Sequence, residues 1–327
     1  MRRLLPTLLA LLVVLPPASA NAIVVRDGTI YWIREAKASD HSGRTAGIGS
    51  INVDGTGLKR LLVRGVVADD LAVDGSLLYW SGPPPGKRSH KRVIGRAGTD
   101  GHGIKRTLVR ADAEAIAAYD GSLYWLTGKT VGRARSNGRG ANARFLAIKQ
   151  PGWVASGLAV GAAGIFWGQG VAHGKAWDRA REGGPVGRIG HAELSGAGVD
   201  PAFASWRAAV LISSSPRIVG LDGPSLYWLT ANPDNALQHL AAEADDIGYC
   251  QPVFSNCDAL MRLADEAVNP NSRFAVDNGV LYWATPVSGG TRIYRAPITR
   301  EMHEGAPGAS ETLEAREQVA FVRDTIR

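Results

Sequence analysis

The stretch "LAVDGSLLYW", residues 71–80, decides the fold. Apolar residues run into an Asp-Gly pair and then into Leu-Tyr-Trp. Five further versions follow the same plan: "IVVRDGTIYW" (23–32), "IAAYDGSLYW" (116–125), "LAVGAAGIFW" (158–167), "IVGLDGPSLYW" (218–228) and "FAVDNGVLYW" (274–283). The closing tryptophans stand at 32, 80, 125, 167, 228 and 283, at spacings of 48, 45, 42, 61 and 55 residues. Periods of this size belong to propellers and solenoids.

The second half of each unit separates the two. "IGSINVDGTGLKRLLV" (48–63) matches "IGRAGTDGHGIKRTLV" (94–109), "VGRARSNGRGANARFL" (131–146) is a further copy, and "IGHAELSGAGVDPAFA" (189–204) a weaker one. Each unit therefore contains four short β-like runs. Asp-Gly and Asn-Gly turns join runs one and two, and usually three and four, because a tight hairpin needs positive φ at both central residues. Four antiparallel strands repeated six times predict an all-β, six-bladed β-propeller. An open solenoid would need polar capping units at its ends, and neither end has that character. Neighbouring side chains on a strand face opposite ways, so the Tyr-Trp pair should send one ring into each adjoining blade interface.

The apolar strand, "LYW", and then "I-x-R-A" before a Gly turn and "L-V" resemble the YWTD repeat of low-density-lipoprotein-receptor class B propellers. The third-strand Arg of that pattern is matched by Arg96, Arg133, Arg262 and Arg295. The family's Thr-Asp after the Trp is absent throughout. The resemblance extends over the whole mature chain and implies a secreted propeller with a binding role. Exported bacterial propellers of unsettled activity share the same kind of repeat.

Residues 1–20 read as a secretory signal: Arg2 and Arg3, an apolar run, then "ASA" before Asn21. The mature domain is expected over 21–327, with repeats near 23–63, 71–109, 116–146, 158–204, 218–265 and 274–327. No later run is long enough to span a membrane. The formal charge of +7 falls to +5 once the signal is removed, which gives nucleic acid little support as a partner. Cys250 and Cys257 are the only cysteines, and in an exported chain such a close pair reads as a local disulfide. At the far end, "VAFVRDTIR" (319–327) echoes the mature start and suggests a clasp, with "ETLEA" (311–315) as the last blade's fourth strand.

Strand order puts the 1–2 and 3–4 turns on one face of the disc. The 2–3 loops and blade connections lie on the other, where the long segments 81–92, 168–185 and 229–258 also fall. Loops on a rigid scaffold are where function concentrates. Six of the nine tryptophans belong to the repeat, and the other three, Trp153, Trp177 and Trp206, all fall on this decorated face. With Lys175, Arg179 and Arg207 they form the expected ligand-binding set, since aromatics with arginines compose most binding hot spots. A second expected set lies at the channel mouth, where Asp70, Glu114, Arg217 and Arg273 start the innermost strands. "DNALQHLAAEADD" (234–246) reads as a short surface helix docked on blade five.

There is no G-x-S-x-G elbow, H-E-x-x-H or P-loop, and the seven His lack metal-ligand spacing. The expectation is a non-enzymatic, monomeric propeller at or outside the cell envelope. It would recognise a protein or glycan through the decorated face, with no cofactor and no metal. The alternative is a propeller hydrolase, lactonase or lyase working at the channel mouth.

Overall fold

The computed structural model describes residues 23–34, 46–84, 91–172, 174–181, 184–206, 217–223, 225–229, 236–241, 259–262, 273–287, 290–297 and 317–323. Their strands pair, in chain order, into four-stranded antiparallel sheets. The first holds β1 (Ile23–Arg26), β2 (Thr29–Arg34), β3 (Gly47–Asn52) and β4 (Lys59–Arg64). The second holds β5 (Asp70–Asp74), β6 (Leu77–Gly82), β7 (Val93–Gly98) and β8 (Lys105–Val109). The third holds β9 (Ala115–Tyr119), β10 (Ser122–Leu126), β11 (Thr130–Arg135) and β12 (Asn142–Ala147). The fourth is larger: β13 (Trp153–Gly161), β14 (Gly164–Val171), helix α1 (Gly174–Arg181), β15 (Gly187–Ala192) and β16 (Asp200–Trp206). The fifth holds β17 (Arg217–Asp222), β18 (Ser225–Leu229), β19 (Ala236–Ala241) and β20 (Ala259–Arg262). The sixth holds β21 (Arg273–Asp277), β22 (Val280–Val287), β23 (Gly290–Pro297) and β24 (Glu317–Arg323).

The innermost strands touch in succession, β1 to β5, β9, β13, β17 and β21, and β21 returns against β1. This is an all-β propeller of four-stranded antiparallel blades. Asp27, Asp120 and Asn278 take positive φ (49°, 46° and 51°) with a Gly after each, as the 1–2 turns require.

The Tyr-Trp pair divides between interfaces as strand alternation demands. Trp80 packs with Tyr31 and Val63 of the first sheet, whereas Tyr79 packs with Ile116 and Trp125 of the third. Trp167 joins the core between the third and fourth sheets, and its neighbour Phe166 joins the core toward the fifth. Polar staples reinforce these joins. Asp74 accepts from the Gly121 amide at 2.8 Å, and Asp222 from the Gly279 amide at 2.6 Å. The third-strand Arg96 donates to the Ser136 carbonyl at 3.0 Å, in the next sheet's turn.

Three details differ from the sequence reading. Residues 236–241 are strand β19, not helix, and Arg262 moves from the third strand to the fourth. Each sheet needs a third strand between its second and fourth, and "ALQHLA" pairs with "SLYWL" in full register from Ser225↔Ala241 to Leu229↔Leu237. The terminal echo does not cross to the first sheet either: residues 317–323 are the sixth sheet's own outer strand. The join between the ends is made by side chains. Ile23, Val25 and Trp32 pack with Tyr282, Ile293 and Val322, and Arg295 donates to the Val53 carbonyl at 3.0 Å. Residues 311–315 lie outside the described residues.

Candidate functional site

The fourth sheet departs from its neighbours at Gly157. There the β13–β14 register shifts between Ser156 and Leu158, and Gly157 takes φ +70°. A Cβ at that position would come 2.9 Å from the Ile218 amide nitrogen, so the bulge needs glycine for space and for conformation. Beyond the bulge the strands continue toward the 2–3 loop face, adding the pairs Trp153↔Val171 and Ala155↔Gln169. Gln169 lies opposite Arg188, and Arg188 opposite Ser205. Residues directly opposite, and those two apart on one strand, share a sheet face. Trp153, Gln169 and Arg188 are thereby brought together.

Their contacts are close. The Arg188 guanidinium carbon sits 4.0 Å from the centroid of the Trp153 ring, within cation–π range. Arg188 Nε donates to Gln169 Oε1 at 2.9 Å, and Gln169 Nε2 donates to the Ile148 carbonyl at 3.1 Å. Arg188 is only 9% exposed, and its buried Nη2 has no hydrogen-bond partner among the described residues. Burial lowers its pKa to about 10, with Asp200 opposing weakly at a distance. No carboxylate among the described residues lies within ion-pair reach of it. A buried cation without a counter-charge is costly, and a bound anion would relieve that cost. Trp153 is half-buried and borders the core formed by Val171, Ala176, Ala180 and Val186.

The remaining expected ligand-binding residues divide between α1, the end of β16 and positions outside the described residues. Lys175, Trp177 and Arg179 lie on helix α1, where the sequence suggested only loop, and α1 contacts β14. The backbone of Trp206 ends β16 opposite Gly187. Arg179 is exposed. The side chains of Lys175, Trp177 and Trp206 are outside what is described, as are Arg207, Cys250 and Cys257 altogether.

At the expected channel mouth Asp70 is not an open carboxylate. It is fully buried and accepts from the Ile116 amide at 2.7 Å, joining the second sheet to the third. Its neighbour Asp69 holds Arg92 instead, with Nε to Oδ2 at 2.7 Å. Asp112 approaches the same guanidinium at 3.9 Å and accepts from the Arg92 amide at 3.3 Å. Glu114 completes the group. Burial pushes its carboxyl above the ordinary value, and the Arg92 charge only partly offsets this. Arg217 and Arg273 begin β17 and β21, where only their backbone is described. Among the described residues no group of three His, Cys, Asp or Glu could hold a metal. No described helix is long and apolar enough to cross a membrane.

Sequence reasoning singled out Trp153 but missed Arg188, Gln169 and Arg92. The available signal was "PVGRIG" (185–190), where an Arg precedes the strand's Ile-Gly. In "VIGRAG" the Arg follows the Gly instead.

No protein-family model and no curated protein sequence matches the chain. Solved propellers are similar in shape alone. Hydrazine synthase of Kuenenia stuttgartiensis aligns with a TM-score of 0.54 at 11% identity, over 83% of this chain and 43% of that one. The propeller domain of the Trilobed protease from Pyrococcus furiosus aligns at 0.45 and 10% identity, over 87% and 86%. An oligogalacturonate lyase in complex with manganese aligns at 0.47 and 10% identity, over 84% and 75%. This chain thus spans less than half the length of hydrazine synthase and, at 41%, of a prolyl endopeptidase that it also matches.

Proposed function

We propose that this chain is an exported binding propeller of six blades, related to the YWTD type. It would take an anionic group of an envelope protein or glycan on the 2–3 loop face of its fourth blade. One observation carries the reading: a guanidinium nine-tenths buried, seated on the Trp153 ring, with Nη2 unpartnered among the described residues. Arg presents a planar fork of donors that suits a carboxylate or sulfate, and the ring orients it. The extra Trp at 153 and the bulge at Gly157 are then two parts of one device. Residues 1–20 would direct export, Cys250 and Cys257 would be bonded, and the ring would function as a monomer.

The test separates folding from binding. Arg188→Met keeps the stem and removes the buried charge, so its stability should equal or exceed that of the parent. Retention on whole cells or on immobilised acidic glycans should fall, since a hot-spot contact contributes about 1–3 kcal/mol. Trp153→Ala should lose retention alongside it. Unchanged retention in both variants, on a panel where the parent binds, would overturn the reading.

One observation favours the enzymatic alternative: Glu114, a half-buried carboxyl held above its ordinary value beside Asp69, Arg92 and Asp112. A raised carboxyl in a charged cluster is a known setting for a general acid. Turnover of lactone or uronate substrates by the parent, abolished in Glu114→Gln, would establish it.

A further inference from the structure

Among the described residues six large hydrophobic side chains stand exposed: Leu58, Val67, Ile104, Val154, Val199 and Phe321. Single exposed aliphatics are ordinary, but three of these occupy one position in the repeat. Ser50 pairs with Lys59, Arg96 with Lys105, and His191 with Asp200. Leu58, Ile104 and Val199 are therefore each the residue just before the fourth strand, in the first, second and fourth sheets. They are 41%, 40% and 46% exposed. The third sheet carries exposed Ala141 at the same place, before Asn142.

The 3–4 turns of a propeller all open on one face, so these side chains project from one side of the disc, near its rim. Cations accompany two of the three, whereas the exposed Asp200 follows Val199. Lys59 and Arg60 follow Leu58, and Lys105 and Arg106 follow Ile104; all four are exposed. None of them lies within ion-pair distance of a carboxylate among the described residues. A recess of about 320 Å³ opens on the same strand, lined by Lys59, Arg60, Arg64 and Asp100 among others.

We propose that this face is a docking surface for an anionic lipid bilayer. A protein partner needs a contiguous apolar core, whereas Leu58, Ile104 and Val199 belong to three different blades. A bilayer is a plane, and it accepts separated side chains wherever they reach it. The aliphatic tips enter the headgroup boundary while the adjoining lysines and arginines meet lipid phosphates. The surface lies opposite the Trp153–Arg188 face, so a docked propeller would hold that face away from the membrane.

The experiment is sedimentation of the purified chain with phosphatidylcholine vesicles, with and without phosphatidylglycerol, at physiological salt. The parent should partition onto the anionic vesicles and leave the neutral ones. The variant Leu58→Ser/Ile104→Ser/Val199→Ser alters only exposed positions, so it should keep its thermal stability and lose roughly tenfold in partition. Lys59→Ser/Lys105→Ser should lose about as much. Lys129→Ser/Lys149→Ser removes equal charge from the opposite face and should bind as the parent does. Three results would overturn the proposal: no partition of the parent, equal losses in the two lysine pairs, or undiminished binding of the triple Ser variant. The last would mark a bare polyanion contact rather than a lipid surface.

Discussion

The first four sheets and the sixth bury the same tryptophan in different ways. In the first four, Trp32, Trp80, Trp125 and Trp167 lie directly opposite Gly49, Gly95, Gly132 and Gly190 on the third strand. The indole lies over the bare backbone, so that a Cβ on those glycines would fall 2.4, 2.3, 2.1 and 2.2 Å from ring carbons. In the sixth sheet Trp283 faces Tyr294, and the rings stack at 5.3 Å and 21°. Trp125 and Trp283 are nonetheless equally buried, at 1% and 0% exposed. Burial of the indole is the constant, and the cross-strand partner is what adapts. An absent side chain and a parallel ring are two ways of filling the same layer.

The largest effect tests the constant. Trp125→Ala and Trp283→Ala should each cost about 3–5 kcal/mol in denaturant unfolding. A loss below about 1 kcal/mol in only one of them would show that the two sheets do not depend alike on the ring.

The partners should respond in opposite directions. Gly132→Ala adds one methyl where no space exists and should cost about 1–3 kcal/mol. In the sixth sheet truncation is what should hurt: Tyr294→Ala leaves a void beside Trp283 at a similar cost. Tolerance of Gly132→Ala would mean that the indole can shift, and the distinction between the sheets would dissolve.

The joins between sheets supply a finer comparison. Arg96 reaches from the second sheet to the third, and Arg295 from the sixth to the first, each at 3.0 Å to a turn carbonyl. Arg96→Ala and Arg295→Ala should each cost about 1–2 kcal/mol. Equal losses would make the join of the two ends an ordinary one. A much larger loss at Arg295, or a separate early transition, would identify that join as the weak point of the ring.

The smallest effect is a pH dependence. Because burial raises the folded-state pKa of Glu114, the native state holds that proton more tightly than the unfolded chain. Its contribution to stability is therefore fully present below the unfolded value, about 4.3, and is lost as pH rises through the folded one. Glu114→Gln should be more stable than the parent at neutral pH, with the difference vanishing in acid. A difference that persists in acid would assign the gain to packing.

The propeller of four-stranded antiparallel blades was legible because its determinants are local and repeated. Asp-Gly turns, alternating apolar residues and Tyr-Trp pairs each state a strand or a hairpin without reference to distant residues. "ALQHLA" was misread because its alanines and leucines fit a helical stripe, and only the pairing demand of β18 and β20 overrides that local preference. At the site, Trp153 stood out as a tryptophan the repeat does not require. Arg188 and Gln169 did not, since one Arg among thirty-seven basic residues carries no mark of burial.

The sequence alone determined the strand–turn–strand repeat and which of its rings enter the core, because those follow from spacing and strand alternation. It set the whole of 229–258 among the 2–3 loops, whereas β19 makes the stretch between Ala241 and Ala259 a connection from the third strand to the fourth. Only the tertiary structure decided that Asp70 is spent on the Ile116 amide rather than open to the channel. It alone placed Arg188 on Trp153, thirty-five positions away, through a bulge whose consequence is a change of register. It also assigned the joining of the ends to Arg295 and Val53 rather than to an exchanged strand. Burial and partnership between remote residues depend on how the sheets pack against one another, and the repeat states nothing about that.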